Sequence, residues 1–161
     1  AFEGLPADAR LSVGGSLDYD PNYAAWLQDM ARHPGVRFVG GVSPACIPGF
    51  LGEVDALVVP SIWNENSPLT IHEAFLAGVP VVASRMGGST ELLEAGGGLL
   101  YDADDARALR AQLRRLYDEP GLARRLAASA PRVKSMKEHV AELIELYDRT
   151  RFGRRRARGR A

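Results

Sequence analysis

The chain contains 161 residues, of which 46% are hydrophobic and 25% are charged, and this balance excludes collagen-like, disulfide-rich and disordered classes. The formal net charge is zero, but the charge is unevenly distributed. Residues 151–161 hold six Arg and no acid, so residues 1–150 hold the remaining 14 basic residues and all 20 acidic ones, a net charge of −6. The sequence therefore predicts an acidic domain, 1–150, and a basic, disordered tail, 151–161.

The predicted elements alternate between strands and helices along most of the chain. Short apolar runs predict strands over 10–14, 36–39, 56–59, 79–83 and 98–101. Helical spacing and capping residues predict helices over 21–32, 44–52, 68–77, 89–95, 104–118, 121–130 and 134–150. This order predicts an α/β fold: a Rossmann-like, doubly wound parallel sheet with helices on both faces, followed by C-terminal helices.

The loop between strand 56–59 and helix 68–77 is predicted to carry the chemistry. Ser67 is a favourable N-cap residue, and Pro68 suits the first helical position. The backbone N–H groups of Leu69 and Thr70 then point out of the helix end, where the helix dipole also favours an anion. A phosphate or diphosphate is the natural occupant of such a position.

Two carboxylates accompany this helix end, Glu65 before it and Glu73 within it, with seven residues between them. A carboxylate beside a phosphate is suited to accepting hydrogen bonds from hydroxyl groups, because it repels the phosphate itself. An anion site with two such carboxylates fits a nucleotide sugar, which has a sugar on one side of its diphosphate and a ribose on the other. The alternative is structural, since Ser-Pro helix starts are common.

Glycine pairs are predicted at the ends of two other strands, Gly14-Gly15 and Gly40-Gly41. In doubly wound sheets, ligands bind beyond the carboxyl ends of the strands, so these turns lie at the expected edge.

The single cysteine, Cys46, cannot form an internal disulfide, which suits a reducing compartment. No run approaches the ~18 apolar residues of a membrane span, and the predicted location is the cytoplasm, with peripheral contact at the inner face of the membrane as an option.

Residues 59–94, VPSIWNENSPLTIHEAFLAGVPVVASRMGGSTELLE, resemble the retaining glycosyltransferases of family 4, of the group 1 type. The family pattern runs P-S, E, seven residues, E-A, G-x-P-V-V-A-S and G-G-x-x-E, and each element occurs here in order. The resemblance covers about 10–150. It implies the C-terminal, donor-binding half of a two-domain GT-B fold.

The resemblance also implies roles for individual residues. Glu65, the candidate catalytic residue, would contact the hydroxyls of the donor sugar and position the donor rather than act as a nucleophile. Glu73 would hold the ribose. The remaining donor-binding candidates are Asn66, Ser67, Pro68, Leu69 and Thr70 at the diphosphate, Gly14 and Gly15 beside the donor, and Gly40, Gly41, Val42 and Ser43 at the base. Trp63 is expected to pack the loop, with an edge of the donor pocket as the alternative, and His72 is expected to be structural.

The family commonly works without a metal, and no metal ligands or cofactor are predicted; the expected donor is linked to UDP or GDP. The family's diphosphate-binding Arg and Lys normally lie some tens of residues before a segment like Arg10–Gly15, and they do not occur here. The resemblance therefore implies a fragment that lacks its first β-α unit and the N-terminal, acceptor-binding domain, and that is inactive alone.

Two other functions remain open: a sugar-nucleotide epimerase of related fold and a non-catalytic nucleotide-sugar-binding module. The Arg-rich tail, 151–161, could contact an anionic membrane. Binding of nucleic acid by this tail is a weaker reading, and a solvated end is the simplest one.

Overall fold

The computed structural model describes residues 1–158, and for residues 151–158 it describes the backbone alone. The chain divides into two compact units, Ala1–Pro131 and Arg132–Ala161, which are described separately. The strands are β1 (Leu11–Gly14), β2 (Val36–Gly40), β3 (Leu57–Val59), β4 (Val81–Ser84) and β5 (Gly98–Tyr101). The helices are α1 (Pro21–Met30), α2 (Ile47–Gly52), α3 (Leu69–Leu76), α4 (Gly87–Glu94), α5 (Ala106–Asp118), α6 (Leu122–Ala128) and α7 (Met136–Arg158).

The predicted α/β fold with parallel strands and flanking helices is confirmed, and every predicted strand and helix is present. The five strands form two parallel sheets, with the orders β1-β2 and β3-β4-β5, where the prediction named one doubly wound sheet. The reason is that β1 and β3 do not pair. Leu11 donates its N–H to the carbonyl oxygen of Gly35, which precedes β2, and Leu57 donates its N–H to that of Pro80, which precedes β4.

Each of these two strands therefore has one unpaired edge. Because successive residues of a strand point their backbone groups in opposite directions, the N–H and C=O of Ser12 point away from β2, and those of Val58 point away from β4. Among residues 1–150, no hydrogen bond is recorded for either edge.

The core lies around β4, the middle strand of the larger sheet. Val81, Val82 and Ala83 are completely buried, as expected for an apolar parallel strand that has a neighbour on each side and helices over its faces. Ile71 and Ala74 of α3 are also completely inaccessible, so α3 is anchored to this core by one face. The position of the helix start at Leu69 is consequently fixed by packing.

The smaller sheet is held by a buried histidine. His33 is 7% exposed, and its Nε2 lies 3.1 Å from the carbonyl oxygen of Pro6 and 3.3 Å from that of Leu5. The carboxylate of Glu3 accepts the backbone N–H of His33 at 3.1 Å. His33 therefore ties the N-terminal segment to the turn that enters β2. On α1, Tyr23 and Trp26 stack with their ring centres 5.6 Å apart.

The second unit contains α7, which the sequence predicted to end at 150 and which continues to Arg158. A capping box starts it: Glu138 accepts the backbone N–H of Ser135 at 2.8 Å, and Ser135 Oγ accepts the N–H of Glu138 at 3.3 Å. No helix among the described residues is long and apolar enough to cross a membrane. The side chains of the predicted tail, 151–161, lie outside the described residues.

Candidate functional site

The candidate site is centred on the segment between β3 and α3. The first residue of this segment is Ser61 if Pro60 is set aside, and Ser61 is buried, with 7% of its surface exposed. Ser84, at the end of β4, donates its hydroxyl to the carbonyl oxygen of Ser61 at 2.5 Å, and Ser61 Oγ donates to Glu65 Oε1 at 3.0 Å. Two serines thus connect the buried strand β4 to the Glu65 carboxylate. Neither serine was assigned a role from sequence, although the P-S element of the motif contains Ser61.

The start of α4 fixes the backbone of the same loop. Gly88 donates its N–H to the carbonyl oxygen of Glu65 at 2.6 Å. A Cβ atom at Gly88 would lie 1.8 Å from the carbonyl oxygen of Asn66, and one at Gly87 would lie 2.5 Å from that of Glu65. Only glycine allows this approach, so the G-G element of the motif has a physical reason: it lets the start of α4 hold the Glu65 loop.

The prediction that Ser67 caps α3 is wrong. The helix begins at Leu69 with no side-chain cap, and Pro68 precedes it in an extended conformation, with ψ 116°. The hydroxyl of Ser67 instead lies 2.8 Å from Nε2 of His72 in the next turn. The Ser67 hydroxyl is therefore directed toward the imidazole and not toward a helix amide.

The amides at the start of α3 are consequently available. Ile71 donates its N–H to Pro68 at 3.1 Å, but the N–H groups of Leu69 and Thr70 have no recorded acceptor within residues 1–150. Thr70 is exposed, and Leu69 is 75% exposed. Two free donors at a solvent-facing helix start, where the dipole adds positive potential, can bind an anion.

Glu73 lies on the second turn of α3 and is half-buried. Within the described part of the chain, no salt bridge or side-chain hydrogen bond is recorded for its carboxylate. The cation nearest in sequence to the two glycines of α4 is Arg85, whose Nε lies 3.7 Å from Oδ1 of Asp102. Both side chains are more than half exposed, so this pair is weak and leaves Arg85 reachable.

The predicted residues of the smaller sheet form a separate group. Gly15 donates its N–H to Gly40 at 2.9 Å, and Gly14 is aligned with Gly40 across β1 and β2. A Cβ on Gly14 would lie 3.5 Å from Val42, whereas Gly15 and Gly41 have open space around them. The two glycine turns therefore meet at the ends of β1 and β2.

The structure thus brings the predicted residues together in two groups. One contains Gly14, Gly15, Gly40, Gly41 and Val42 at the end of β1 and β2. The other contains Glu65, Asn66, Ser67, Pro68, Leu69, Thr70 and Glu73 around the start of α3. Trp63, which is expected to pack the loop or to form an edge of the donor pocket, is 61% exposed. Among the described residues, no three His, Cys, Asp or Glu side chains could hold a metal together.

Comparison with known proteins gives a family match over most of the chain. The sequence profile described as glycosyl transferases group 1 matches residues 3–119. A D-inositol 3-phosphate glycosyltransferase of a Nocardioides species is 35% identical over 122 residues, which are 73% of this chain and 26% of that protein. The enzyme of the same name from Thermomonospora curvata is 36% identical over 129 residues, or 75% of this chain and 30% of that protein. The chain thus spans less than a third of these relatives.

Solved structures share the fold. HepE of Anabaena in complex with UDP superposes with a TM-score of 0.69 at 24% identity, covering 87% of this chain and 42% of that one. Sucrose-phosphate synthase of Thermosynechococcus elongatus gives a TM-score of 0.64 at 24% identity, covering 79% and 41%. The parallel α/β architecture is therefore that of GT-B glycosyltransferases.

Proposed function

The chain belongs to the group 1 glycosyl transferases, and on that basis we propose that it is the donor-binding half of a retaining glycosyltransferase of family 4. The proposal depends mainly on the free backbone N–H groups of Leu69 and Thr70. In the sequence they lie between the carboxylates of Glu65 and Glu73. The family match favours transfer over the epimerase and the non-catalytic module.

The proposed donor is a nucleoside diphosphate sugar. Its diphosphate accepts hydrogen bonds from the amides of Leu69 and Thr70, Glu73 accepts from the ribose hydroxyls, and Glu65 accepts from the sugar hydroxyls. HepE binds UDP and UDP-glucose according to its solved complexes, which supports UDP as the first nucleotide to test, with GDP as the second. The turns at Gly14-Gly15 and Gly41-Val42 would receive the rest of the nucleotide.

The proposed reaction passes through an oxocarbenium-like state at the anomeric carbon, while negative charge develops on the departing diphosphate. The backbone N–H groups at the start of α3 stabilise that charge. They are already in position, so no reorganisation is needed as the charge develops. Glu65 positions the sugar, and its own position is fixed by Ser61 and Gly88. We infer no metal in this scheme.

The acceptor would be bound by another part of a longer protein, because the chain spans 26% and 30% of the two D-inositol 3-phosphate glycosyltransferases. On this proposal the 161-residue chain binds donor but does not transfer sugar. Contact of the basic tail, 151–161, with anionic lipid remains an alternative to a solvated end, and the cytoplasmic location remains a prediction.

Calorimetric titration of the chain with UDP, GDP and ADP, and then with their glucose conjugates, tests the binding proposal. One nucleotide should bind at least about tenfold more tightly than the others, and its affinity should fall in a Glu73→Gln variant. Absence of binding by all six compounds would refute donor binding by this chain.

The transfer reaction is tested on the whole protein that contains this chain, with the preferred donor and D-inositol 3-phosphate as a first acceptor. The anomeric configuration of the product, read from its proton NMR coupling, should equal that of the donor. Inversion contradicts the retaining mechanism, and epimerised donor without acceptor supports the epimerase.

A further inference from the structure

Ser67 immediately precedes Pro68 and the first turn of α3, where a serine hydroxyl normally accepts a helix N–H. Its hydroxyl is turned the other way, toward Nε2 of His72 at 2.8 Å. His72 is half-buried, whereas Ser67 is exposed. The imidazole is the more restrained partner of the two, so the histidine sets the position of the hydroxyl.

Three α-helices of this chain that follow an Asp or Ser behave differently, whereas Ser43, before the short 3-10 helix Pro44–Cys46, also caps nothing. Asp20 accepts the N–H of Tyr23 at the start of α1, Asp105 accepts two N–H groups at the start of α5, and Ser135 accepts one at the start of α7. At α3 a residue of the same kind is available and does not cap. Two features distinguish α3 from these three helices: the contact of Ser67 Oγ with His72 Nε2, and the extended backbone of Pro68.

A serine hydroxyl released at this position would accept the N–H of Leu69 as an ST turn, or that of Thr70 as an N-cap. Those are the two amides assigned to the diphosphate. We propose that His72 is a positioning residue: it holds the Ser67 hydroxyl away from the amides of Leu69 and Thr70, so that they stay free for the donor. This inference rests on the proposed function and adds His72 to the residues that set donor affinity.

The test is a double-mutant cycle in the 161-residue chain, with UDP as the probe and Tm as a second readout. H72L should release the hydroxyl to cap α3, which lowers UDP affinity by about fivefold and raises Tm by about 2–4 °C without ligand. The same H72L change made in an S67A background should have neither effect, because no competing hydroxyl remains. The S67A background also corrects for the higher helix propensity of leucine.

H72Q is the conservative variant, because its side-chain amide can still bond the Ser67 hydroxyl; it should keep UDP affinity within about twofold of the unmodified chain. The inference is overturned if H72L changes affinity and Tm equally in the unmodified and S67A backgrounds, or if H72L lowers Tm only in the chain that keeps Ser67. If no form binds UDP, the proposed function fails, but the Tm cycle still decides whether the hydroxyl competes for the amides.

Discussion

The N–H of Gly88 donates to the carbonyl oxygen of Glu65 over 2.6 Å, so two motif elements 23 positions apart in the sequence are one structural unit. The start of α4 supports the loop that carries the candidate catalytic carboxylate. Substitutions in α4 should therefore act on the donor site without touching a donor.

The Gly88→Ala substitution should disrupt the Glu65 loop, because its Cβ would lie 1.8 Å from the carbonyl oxygen of Asn66. We expect a loss of about 1–3 kcal/mol in the free energy of unfolding, the usual cost of overpacking, together with a large loss of donor affinity. Chemical denaturation and UDP titration measure the two effects. Gly49→Ala is the control, since open space surrounds Gly49 in α2; equal behaviour of the two variants would contradict the argument.

Two buried serines should respond oppositely to replacement by alanine. Ser84 is 1% exposed and donates to Ser61, so Ser84→Ala leaves a buried carbonyl without its donor and should cost about 1–3 kcal/mol. Ser89 is 0% exposed, and its Oγ has no partner among the described residues. Ser89→Ala should therefore be neutral or stabilise by up to about 1 kcal/mol. Thermal unfolding of both variants tests the contrast, which a loss of stability in Ser89→Ala would disprove.

The Glu73→Gln variant should bind the donor about 10- to 100-fold more weakly, because it loses charge-assisted hydrogen bonds to the ribose worth about 1.5–3 kcal/mol. Its fold should be unaffected, since no described residue is recorded as bonding this carboxylate. Glu94→Gln, at the exposed far end of α4, is the matched control. Equal donor affinity of the two variants would remove Glu73 from the site.

Acid should weaken the start of α7 in a defined window. Hydrogen bonds from Arg132 first, and then from Ser135, lower the pKa of Glu138 from 4.5 to about 2. Because the pKa of Glu138 is lower in the folded state, its carboxylate stabilises the folded state fully above pH 4.5. This stabilisation is lost as the pH falls to about 2. NMR titration of the Glu138 carboxyl should give this low pKa. In Glu138→Gln the start of α7 should fray to the same extent at neutral and acid pH; an ordinary pKa for Glu138 would contradict the capping box.

The fold was predictable from sequence because it depends on patterns along the chain. The apolar run over 56–59 indicated a parallel strand buried on both faces, but in β3 only Val59 is buried, whereas Leu57 and Val58 are half-buried. The absence of a cap at Ser67 was not predictable, because residue propensities do not reveal that its hydroxyl contacts His72, five positions later. The need for glycine at Gly88 was visible only as a motif, since the obstructing carbonyl belongs to Asn66. At such positions, contacts with other side chains and backbone groups determine the structure, rather than local residue preference.

The unpaired edges at Ser12 and Val58 have a consequence for handling the isolated chain. An apolar strand with free N–H and C=O groups is a template on which another strand can grow. Self-association of this chain should therefore increase with concentration and proceed strand to strand, beginning at β3, whose residues Leu57, Val58 and Val59 are all apolar.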